Sequence, residues 1–267
     1  MPRFPLRVRI FAFCDRNLKR FLNLLIVLHQ GFWLGVLNRK GLDKVTEFYY
    51  LSIEKYLSLN YNKSGLSNWE ENAVYTYFKE CKSILVGACG GGREIIALVG
   101  MGFQVDGFEC SDKLVECSEQ ALKNEGIDAR VYPSPPNQVP SELGKYDGLI
   151  LGWGAYMHIL GREERIRFLK QFRLHIKENG PLLLSFFARD KSKQYERTYK
   201  VARFVGYLTR NSDSIELGDT IHGSFDHFFT KEEVENELNQ AGFEMICYSD
   251  AYYSDETSYP HAVAKAV

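Results

Sequence analysis

From position 83 onward, short apolar segments alternate with segments whose apolar residues recur every three or four positions. Residues 83–88 are apolar and stop at consecutive glycines, which is typical of a buried strand followed by a turn. Residues 93–101 have helical spacing and end at a glycine, and residues 103–109 alternate as a second strand. A further helix begins after Ser111 and ends at Gly126. The pattern predicts a strand–helix–strand–helix unit.

The same alternation continues toward the carboxyl terminus. Strands are predicted at residues 129–132, 146–151 and 182–187, with a helix at 163–177 between the last two. Such alternation is typical of a parallel sheet covered by helices on both faces. The sequence therefore predicts an α/β fold.

Two capping boxes frame this region. Ser67 with Glu70 and Thr230 with Glu233 each place a hydroxyl residue three positions before a glutamate, which predicts helix starts. The second helix ends near Gly242, and two closing strands are predicted at 243–248 and 261–267. Residues 188–228 are polar and aromatic with weak periodicity, which favours an irregular, lid-like insertion. We therefore predict a cap over residues 1–66 and a core over 67–267.

The amino-terminal segment is basic and then apolar. Positions 1–20 contain six lysines and arginines against Asp15, and residues 21–37 are an apolar run. The run is short for a membrane span and is interrupted by polar residues, so we expect a buried or substrate-covering helix. A helix lying on a membrane surface and a true span are the alternatives, and weak membrane association through residues 21–37 remains open.

Composition narrows the function classes. The chain of 267 residues is 45% hydrophobic and 25% charged, with a formal net charge of −1, which excludes a disordered chain or a polytopic membrane protein. No global basic excess points to nucleic acid, and none is expected as a partner. The six cysteines form no CxxC pair and none has a histidine at metal-ligand spacing, so no metal site is predicted. A reducing, cytoplasmic location fits best, either free or peripheral to a membrane.

The most informative segment is the glycine-rich turn after the first strand. Glycines allow positive φ and close approach of a ligand, and the following helix start offers unpaired N–H groups. The spacing after Gly90 does not fit the GxGxxG dinucleotide fingerprint, because Ile95 stands where the third glycine would be. Glu109 ends the second strand, 17 positions after Gly92, where a carboxylate can accept hydrogen bonds from ribose hydroxyls.

These features resemble class I S-adenosylmethionine-dependent methyltransferases, over roughly residues 67–267. Residues 88–92 are similar to the family's motif I, although Ala88 stands in place of its first glycine, and residues 227–243 are similar to its late FT-x-E-E…AGF stretch. The resemblance implies a Rossmann-like seven-stranded sheet of order 3-2-1-4-5-7-6. It also implies S-adenosylmethionine as cofactor, S-adenosylhomocysteine as product, and methyl transfer to a small-molecule acceptor.

Carried over by motif, the resemblance assigns the cofactor-binding positions. They lie in the glycine turn, at the end of the second strand, after the third strand and after the fourth: Gly87, Ala88, Cys89, Gly90, Gly92, Glu109, Cys110, Ser134, Pro135, Gly152 and Trp153.

Catalytic candidates lie in loops at the carboxyl ends of strands, where open α/β sheets bind ligands. His158 and Tyr156 follow the fourth strand, and His222 lies before the last helix. A histidine can accept a proton near neutral pH, although methyl transfer needs a base only when the nucleophile carries a proton. We expect the acceptor to contact Tyr49, Trp153, Tyr156, His222 and His227.

Three functional hypotheses remain open at this point. The first is methyl transfer to an O, N or S atom of a small metabolite by in-line displacement. The second is a non-catalytic S-adenosylmethionine-binding regulator or partner protein, and the third is a membrane-associated methyltransferase with a lipid-like acceptor.

Overall fold

The computed structural model describes residues 4–211, 215–251 and 258–267. Within these ranges, strands recur along the whole carboxyl-terminal part of the chain. In chain order they are β1 (Ser83–Gly87), β2 (Gln104–Glu109), β3 (Val131–Pro133), β4 (Gly148–Leu151), β5 (Pro181–Ser185), β6 (Phe187–Ala188), β7 (Asp219–Ile221), β8 (Phe225–Phe229), β9 (Phe243–Ser249) and β10 (His261–Ala266).

Helices precede and separate these strands. They are α1 (Leu6–Val36), α2 (Arg39–Ser52), α3 (Leu59–Asn62), α4 (Asn68–Tyr77), α5 (Arg93–Gly100), α6 (Asp112–Glu125), α7 (Arg162–Arg173), α8 (Lys193–Thr209) and α9 (Lys231–Gln240), with 3-10 turns at Glu54–Leu57 and Ala155–His158. Both predicted capping boxes are present, at the start of α4 and of α9.

The central sheet has seven strands in the order β3-β2-β1-β4-β5-β10-β9. β1 pairs in parallel with β2 and β4, whereas β10 is antiparallel to β5 and β9. Because β9 and β10 are the sixth and seventh strands of this sheet in chain order, the predicted α/β fold and its 3-2-1-4-5-7-6 order are confirmed. The carboxyl ends of β1, β2 and β4 therefore meet at one edge.

Two apolar clusters cover the sheet, one on each face. One includes Leu85, Leu149, Leu182 and Phe172 of α7, and the other includes Ile84, Val86, Ile95 and Val263. Alternate residues of each strand thus point into opposite clusters, as the period of two in a strand requires. This packing fixes the strand ends that carry the site.

The segment at 188–228 is more regular than its pattern predicted. It contains the 17-residue helix α8 and two strands, β7 and β8, which form a three-stranded sheet with β6 in the order β6-β8-β7. The sequence does not predict these strands, because they are two to five residues long and mostly buried on both faces, so no alternation of apolar and polar residues is visible.

The amino-terminal helix differs from its expectation in extent and in burial. It begins at Leu6 rather than near position 21, and its buried residues are confined to its carboxyl-terminal third: Val27, Gln30, Gly31, Leu34 and Gly35. Among the described residues, no helix is both long enough and apolar enough to cross a membrane. The boundary of the amino-terminal cap at residue 66 stays a prediction.

Candidate functional site

The glycine turn leaves the carboxyl end of β1 in a left-handed backbone conformation. Ala88, Gly90 and Gly92 have φ of 51°, 55° and 94°. A Cβ at Gly90 would meet nothing within 4 Å, whereas a Cβ at Gly91 would lie 2.3 Å from Asn62 Nδ2. Gly90 is favoured by its positive φ and has open space beside it, whereas Gly91 is required because the amino-terminal cap lies against it.

Ala88 is strained, because a left-handed conformation costs an L-residue about 1–2 kcal/mol that glycine does not bear. We expect Ala88→Gly to raise the free energy of unfolding by about 0.5–1 kcal/mol after the added chain entropy of glycine is subtracted. Urea denaturation measures the change. Ala97→Gly, inside α5, is the matched control and should lower it by about 1 kcal/mol. Equal losses in both variants would contradict the strain at Ala88.

Glu109 lies buried at the end of β2 and organises the loops around it. One of its carboxylate oxygens accepts hydrogen bonds from the N–H groups of Cys110 at 2.8 Å and Ser111 at 3.0 Å. The other accepts from Gly90 N–H at 2.9 Å, so the carboxylate ties β2 to the glycine turn. The oxygen bonded to Gly90 accepts one hydrogen bond and keeps capacity for another, and Glu109 lines the adjacent cavity.

The loops after β3 and β4 are held against the same edge. Ser134 N–H donates to the Glu109 carbonyl at 2.9 Å, and Gly152 N–H donates to the Gly87 carbonyl at 2.7 Å. A Cβ at Gly152 would lie 2.3 Å from the Ala88 carbonyl oxygen, so this close approach requires glycine. The loops after β1, β2, β3 and β4 therefore meet around one opening.

A cavity of about 730 Å³ occupies this opening. Of the cofactor positions assigned above, its lining includes Ala88, Cys89, Gly90, Glu109, Cys110, Ser134, Pro135 and Trp153, whereas Gly87, Gly92 and Gly152 lie in the framework behind it. The amino-terminal cap supplies the opposite wall through Lys40, Asp43, Lys44, Glu47, Tyr50, Tyr56, Tyr61 and Asn62. The cap thus closes the cavity over the strand ends.

The start of α5 is locked by a buried arginine. Arg93 donates to both carboxylate oxygens of Glu70, at 2.8 and 2.7 Å, and to Glu94 at 2.7 Å. It also donates to the Gly65 carbonyl, so the linker before α4 is fixed to the glycine turn. Paired and hydrogen-bonded on all sides, this charge is a scaffold of the cavity wall.

Three side chains from separate elements form a row beside the cavity, and the first two of them are joined by a hydrogen bond. His158 Nε2 lies 2.6 Å from the Tyr50 hydroxyl of α2. His158 Nδ1 lies 2.8 Å from the Phe225 carbonyl oxygen and 3.3 Å from Asp226 Oδ1 of β8. Tyr50 and His158 both line the cavity.

The partners of this row define the tautomer of His158. A carbonyl oxygen can only accept, so Nδ1 carries the proton that bonds to Phe225, and the Nε2 lone pair accepts from Tyr50. Burial raises the pKa of the Tyr50 phenol well above its usual value, so the hydroxyl stays protonated at neutral pH. Tyr50 is therefore the donor and His158 Nε2 the basic atom.

Burial also perturbs other groups in the wall. It raises the pKa of the Asp43 carboxyl above its usual value, although Arg39 nearby opposes the shift. It raises the pKa of Tyr56 to about 12, with the neighbouring Tyr61 adding to the effect. The cap thus offers the cavity neutral phenols together with a carboxyl that is easier to protonate.

The remaining sequence candidates do not line this cavity. Tyr156 shares a 3-10 turn with His158 but points inward, where it stacks on Phe229 and donates to Glu237. His222 lies 2.8 Å from Gln30 of α1, and His227 is buried 2.6 Å from Asp219. Tyr49 packs edge-on against Tyr50. Their assignment to catalysis or acceptor binding stays a prediction.

His227 belongs to a buried ionic cluster. Ligand atoms of Glu216, Asp219 and His227 lie within 4.8 Å of one another. Arg165 donates to Glu216 at 2.8 Å and to Glu237 at 2.8 Å, so a guanidinium already supplies the cation between these carboxylates. We interpret the cluster as a structural support behind β8 and the Ala155–His158 turn.

The sequence predicts the cap, and Asp226 is a candidate beside His222 and His227, but no pattern in the sequence brings Tyr50, His158 and Asp226 together. Tyr50 is part of an aromatic run and Asp226 of an irregular stretch, and neither has a motif. These contacts appear only in the folded structure, because His158 lies 108 residues from Tyr50 and 67 residues from Phe225 in the sequence.

Comparisons place this arrangement among known folds. No protein-family model and no curated protein matches the chain. A methyltransferase from Methanosarcina mazei, described as SAM-dependent, matches at 19% identity with a TM-score of 0.59, over 73% of this chain and 96% of that one. CalS10 is an amino pentose methyltransferase from Micromonospora echinaspora that was solved with SAM bound. It matches at 14% identity with a TM-score of 0.55, over 78% of this chain and 95% of that one.

A third structure, an S-adenosylmethionine-dependent methyltransferase from Clostridium acetobutylicum, matches at 15% identity and a TM-score of 0.53, over 84% of this chain and 98% of that one. Together with the strand order, these matches show that the chain has the class I methyltransferase fold.

Proposed function

We propose that this protein is an S-adenosylmethionine-dependent methyltransferase that acts on an O, N or S nucleophile of a small-molecule acceptor. The observation that carries the proposal is the single cavity that joins the glycine turn and Glu109 to the Tyr50–His158 pair. The same cavity thus contains hydrogen-bond donors and acceptors for a nucleoside, around the glycine turn and Glu109, and a base, His158.

The residues present fit the cofactor. The open space beside Gly90 admits a ligand against the backbone, and the Glu109 oxygen that accepts only the Gly90 N–H can accept a further hydrogen bond from a ribose hydroxyl. Trp153 and Pro135 supply apolar wall for the nucleoside. Neighbours of the same fold are methyltransferases, and one of them has been solved with this cofactor.

The bound cofactor would supply a methyl group on a positively charged sulfur, which is already a good leaving group. The protein's own task is to align the acceptor with that methyl and to exclude water. Tyr50, Tyr56 and Tyr61 form a wall over the strand ends and serve this exclusion.

The row through His158 provides a route for a proton. An acceptor O–H or N–H that faces Tyr50 would pass its proton to the phenol oxygen, while Tyr50 passes its own to His158 Nε2. Asp226 Oδ1, 3.3 Å from Nδ1, would stabilise the imidazolium that results. The phenol is neutral before and after the transfer, so the net change is one proton moved to His158.

The wall above the cavity favours a small polar acceptor. Lys40, Asp43, Lys44 and Glu47 of α2 add charged groups of both signs beside the tyrosines. Such a mixed wall can hydrogen-bond a compact metabolite, and the cap leaves the cavity enclosed on the side opposite the glycine turn.

Calorimetry with S-adenosylmethionine and S-adenosylhomocysteine tests the cofactor assignment. We expect Glu109→Ala to weaken binding of both ligands by about 1–3 kcal/mol, or about 5- to 150-fold, because hydrogen bonds to a charged group are lost. Glu116→Ala, an exposed carboxylate of α6, is the control and should bind as the wild type does. Thermal unfolding of each variant should accompany the titrations, since Glu109 also accepts three backbone hydrogen bonds.

Unchanged affinity in folded Glu109→Ala would contradict the ribose assignment, and no binding of either ligand to the wild type would overturn the proposal. Mass spectrometry of a cell extract incubated with methyl-labelled cofactor identifies the acceptor. Tight cofactor binding with no labelled product from any extract would favour a non-catalytic binding protein instead.

A further inference from the structure

The first two thirds of α1 are exposed and do not pack into the rest of the described chain. Every described residue from 4 to 26 is exposed except Asp15, which is half-buried. At 1.5 Å per residue, the helical part of this stretch is about 30 Å long. An isolated helix gains stability mainly from packing its apolar face, so a helix this exposed requires a further surface.

The helix is amphipathic along its whole length. Exposed apolar side chains recur at helical spacing in a stripe that is interrupted at Asn17: Leu6, Ile10, Phe13, Phe21, Leu24, Leu28 and Phe32. Other exposed apolar side chains, such as Phe11, Leu18 and Leu22, widen the apolar face beyond this stripe. A neighbouring row, roughly a quarter turn around the helix, is Arg9, Arg16, Arg20 and Asn23, and it continues into the buried residues Val27, Gln30 and Leu34. The face of α1 that is buried at its carboxyl-terminal end is therefore polar along the exposed amino-terminal part of the helix.

The supported third of α1 packs very closely on α8. A Cβ at Gly31 would lie 2.6 Å from Val201 Cβ, and one at Gly35 would lie 2.7 Å from the Ala202 carbonyl oxygen. Thr209 Oγ1 donates to the Gly35 carbonyl at 2.6 Å. Small residues thus join the two helices into one unit.

The outer surfaces of the two helices merge as a result. An apolar groove of about 740 Å³ runs between them and is lined by Leu25, Leu28, His29, Phe32, Lys200, Val201, Phe204 and Val205. Tyr207 and Leu208 of α8 extend the exposed apolar surface beyond the groove. A contiguous apolar surface that extends from this groove along both helices marks an interaction surface.

Charge identifies the partner. α1 has five basic residues against one acidic, and α8 has four against one, although the whole chain has a net charge of −1. Basic side chains beside an apolar stripe complement an anionic lipid surface, because long Lys and Arg side chains reach headgroups while the stripe enters the acyl boundary. A second copy would bring two basic faces together, which disfavours a dimer.

We propose that the α1–α8 surface binds the protein to an anionic phospholipid bilayer, with α1 lying in the plane of the interface. The proposal concerns a surface separate from the cavity and does not depend on the cofactor assignment. It makes the apolar stripe from Leu6 to Phe32 the buried face of the bound state.

Vesicle flotation of the full chain tests the proposal. We expect the protein to float with vesicles of phosphatidylcholine and phosphatidylglycerol in equal parts, and to bind much less to phosphatidylcholine alone. Added salt should weaken binding, since it screens the attraction to the headgroups. Absence of binding to either vesicle would overturn the proposal.

Variants separate the two contributions. Arg16→Gln with Arg20→Gln should weaken partition about thirty-fold, because each basic residue near an anionic surface strengthens binding about five-fold. Phe13→Glu with Phe21→Glu should abolish it, whereas Leu174→Glu, an equally exposed apolar residue at the end of α7, should leave it unchanged. Circular dichroism and thermal unfolding of each variant verify that the core is folded.

Two results would contradict the lipid partner. Equal loss of flotation in Leu174→Glu would mean that any added charge prevents binding. A wild type that is dimeric in light scattering without vesicles, and becomes monomeric in Phe13→Glu with Phe21→Glu, would assign the stripe to a second copy of the chain.

Discussion

Replacing Arg165 with methionine is expected to lower the free energy of unfolding by about 3–5 kcal/mol, the scale for breaking one side of a buried ion pair. Arg165 is 1% exposed and Glu237 is fully buried. Arg165 donates to both carboxylate oxygens of Glu237, at 3.0 and 2.8 Å, and to Glu216 at 2.8 Å. Methionine preserves much of the volume but leaves the Glu237 carboxylate with the Tyr156 hydroxyl as its remaining donor among those described. Urea denaturation monitored by circular dichroism measures the loss.

Two further variants make this expectation specific to the buried pair. Arg167→Met, on the same helix, removes the half-exposed Arg167 from a pair with Glu164, which keeps Arg39 as a partner, and should cost less than about 1 kcal/mol. Arg165→Met combined with Glu237→Gln should recover part of the loss, because the uncompensated charge is gone. A loss in Arg165→Met no larger than in Arg167→Met would show that the cluster is solvated and would remove its role as support for the His158 turn.

The core of the fold could be predicted because its local and tertiary signals agree. The strands β1 and β4 are buried on both faces and therefore appear in the sequence as short apolar segments. Glycines mark the turn after β1 and the ends of the helices that follow. The small sheet of β6, β7 and β8 could not be predicted. Its strands are too short to show a period of two, and β8 has buried residues on both of its faces, so apolar and polar residues do not alternate along it.

The candidate site divides in the same way. The glycine turn and Glu109 are close in sequence and belong to one strand–helix–strand unit, so spacing alone could place them together. The Tyr50–His158–Asp226 row draws on three elements that approach only after the cap and the insertion have folded onto the strand ends. No local pattern encodes such a meeting. Tyr156 illustrates the converse, since it is two residues from His158 yet points into the core.

The cap links the two surfaces inferred here. α1 contains the exposed stripe, and one residue separates its last turn from the Asn38 N-cap of α2, the helix that brings Tyr50 to His158. Asn211 also donates to the Leu37 carbonyl, so the junction is fixed to the end of α8. The exposed helix and the helix that lines the cavity are therefore joined by a short, hydrogen-bonded junction.

Replacing His158 with glutamine is expected to lower kcat by about 10²–10⁴, the usual contribution of a positioned general base. Glutamine can still donate to the Phe225 carbonyl, but it has no basic nitrogen to accept the proton that Tyr50 passes on. Cofactor affinity should change little, because the residue lies at the acceptor end of the cavity. Single-turnover kinetics with the acceptor found by mass spectrometry measures the step.

The rest of the row should respond in graded fashion. Tyr50→Phe interrupts the relay and should reduce kcat strongly, while Tyr75→Phe, an exposed tyrosine of α4, should not. Asp226→Asn keeps the shape but removes the charge that stabilises the imidazolium, so it should lower kcat less than the loss of His158 does. Because the three side chains act in one path, the Tyr50→Phe and His158→Gln losses should not add in the double variant. Full activity in folded His158→Gln would show that the acceptor needs no base and that the row only closes the cap over the cavity.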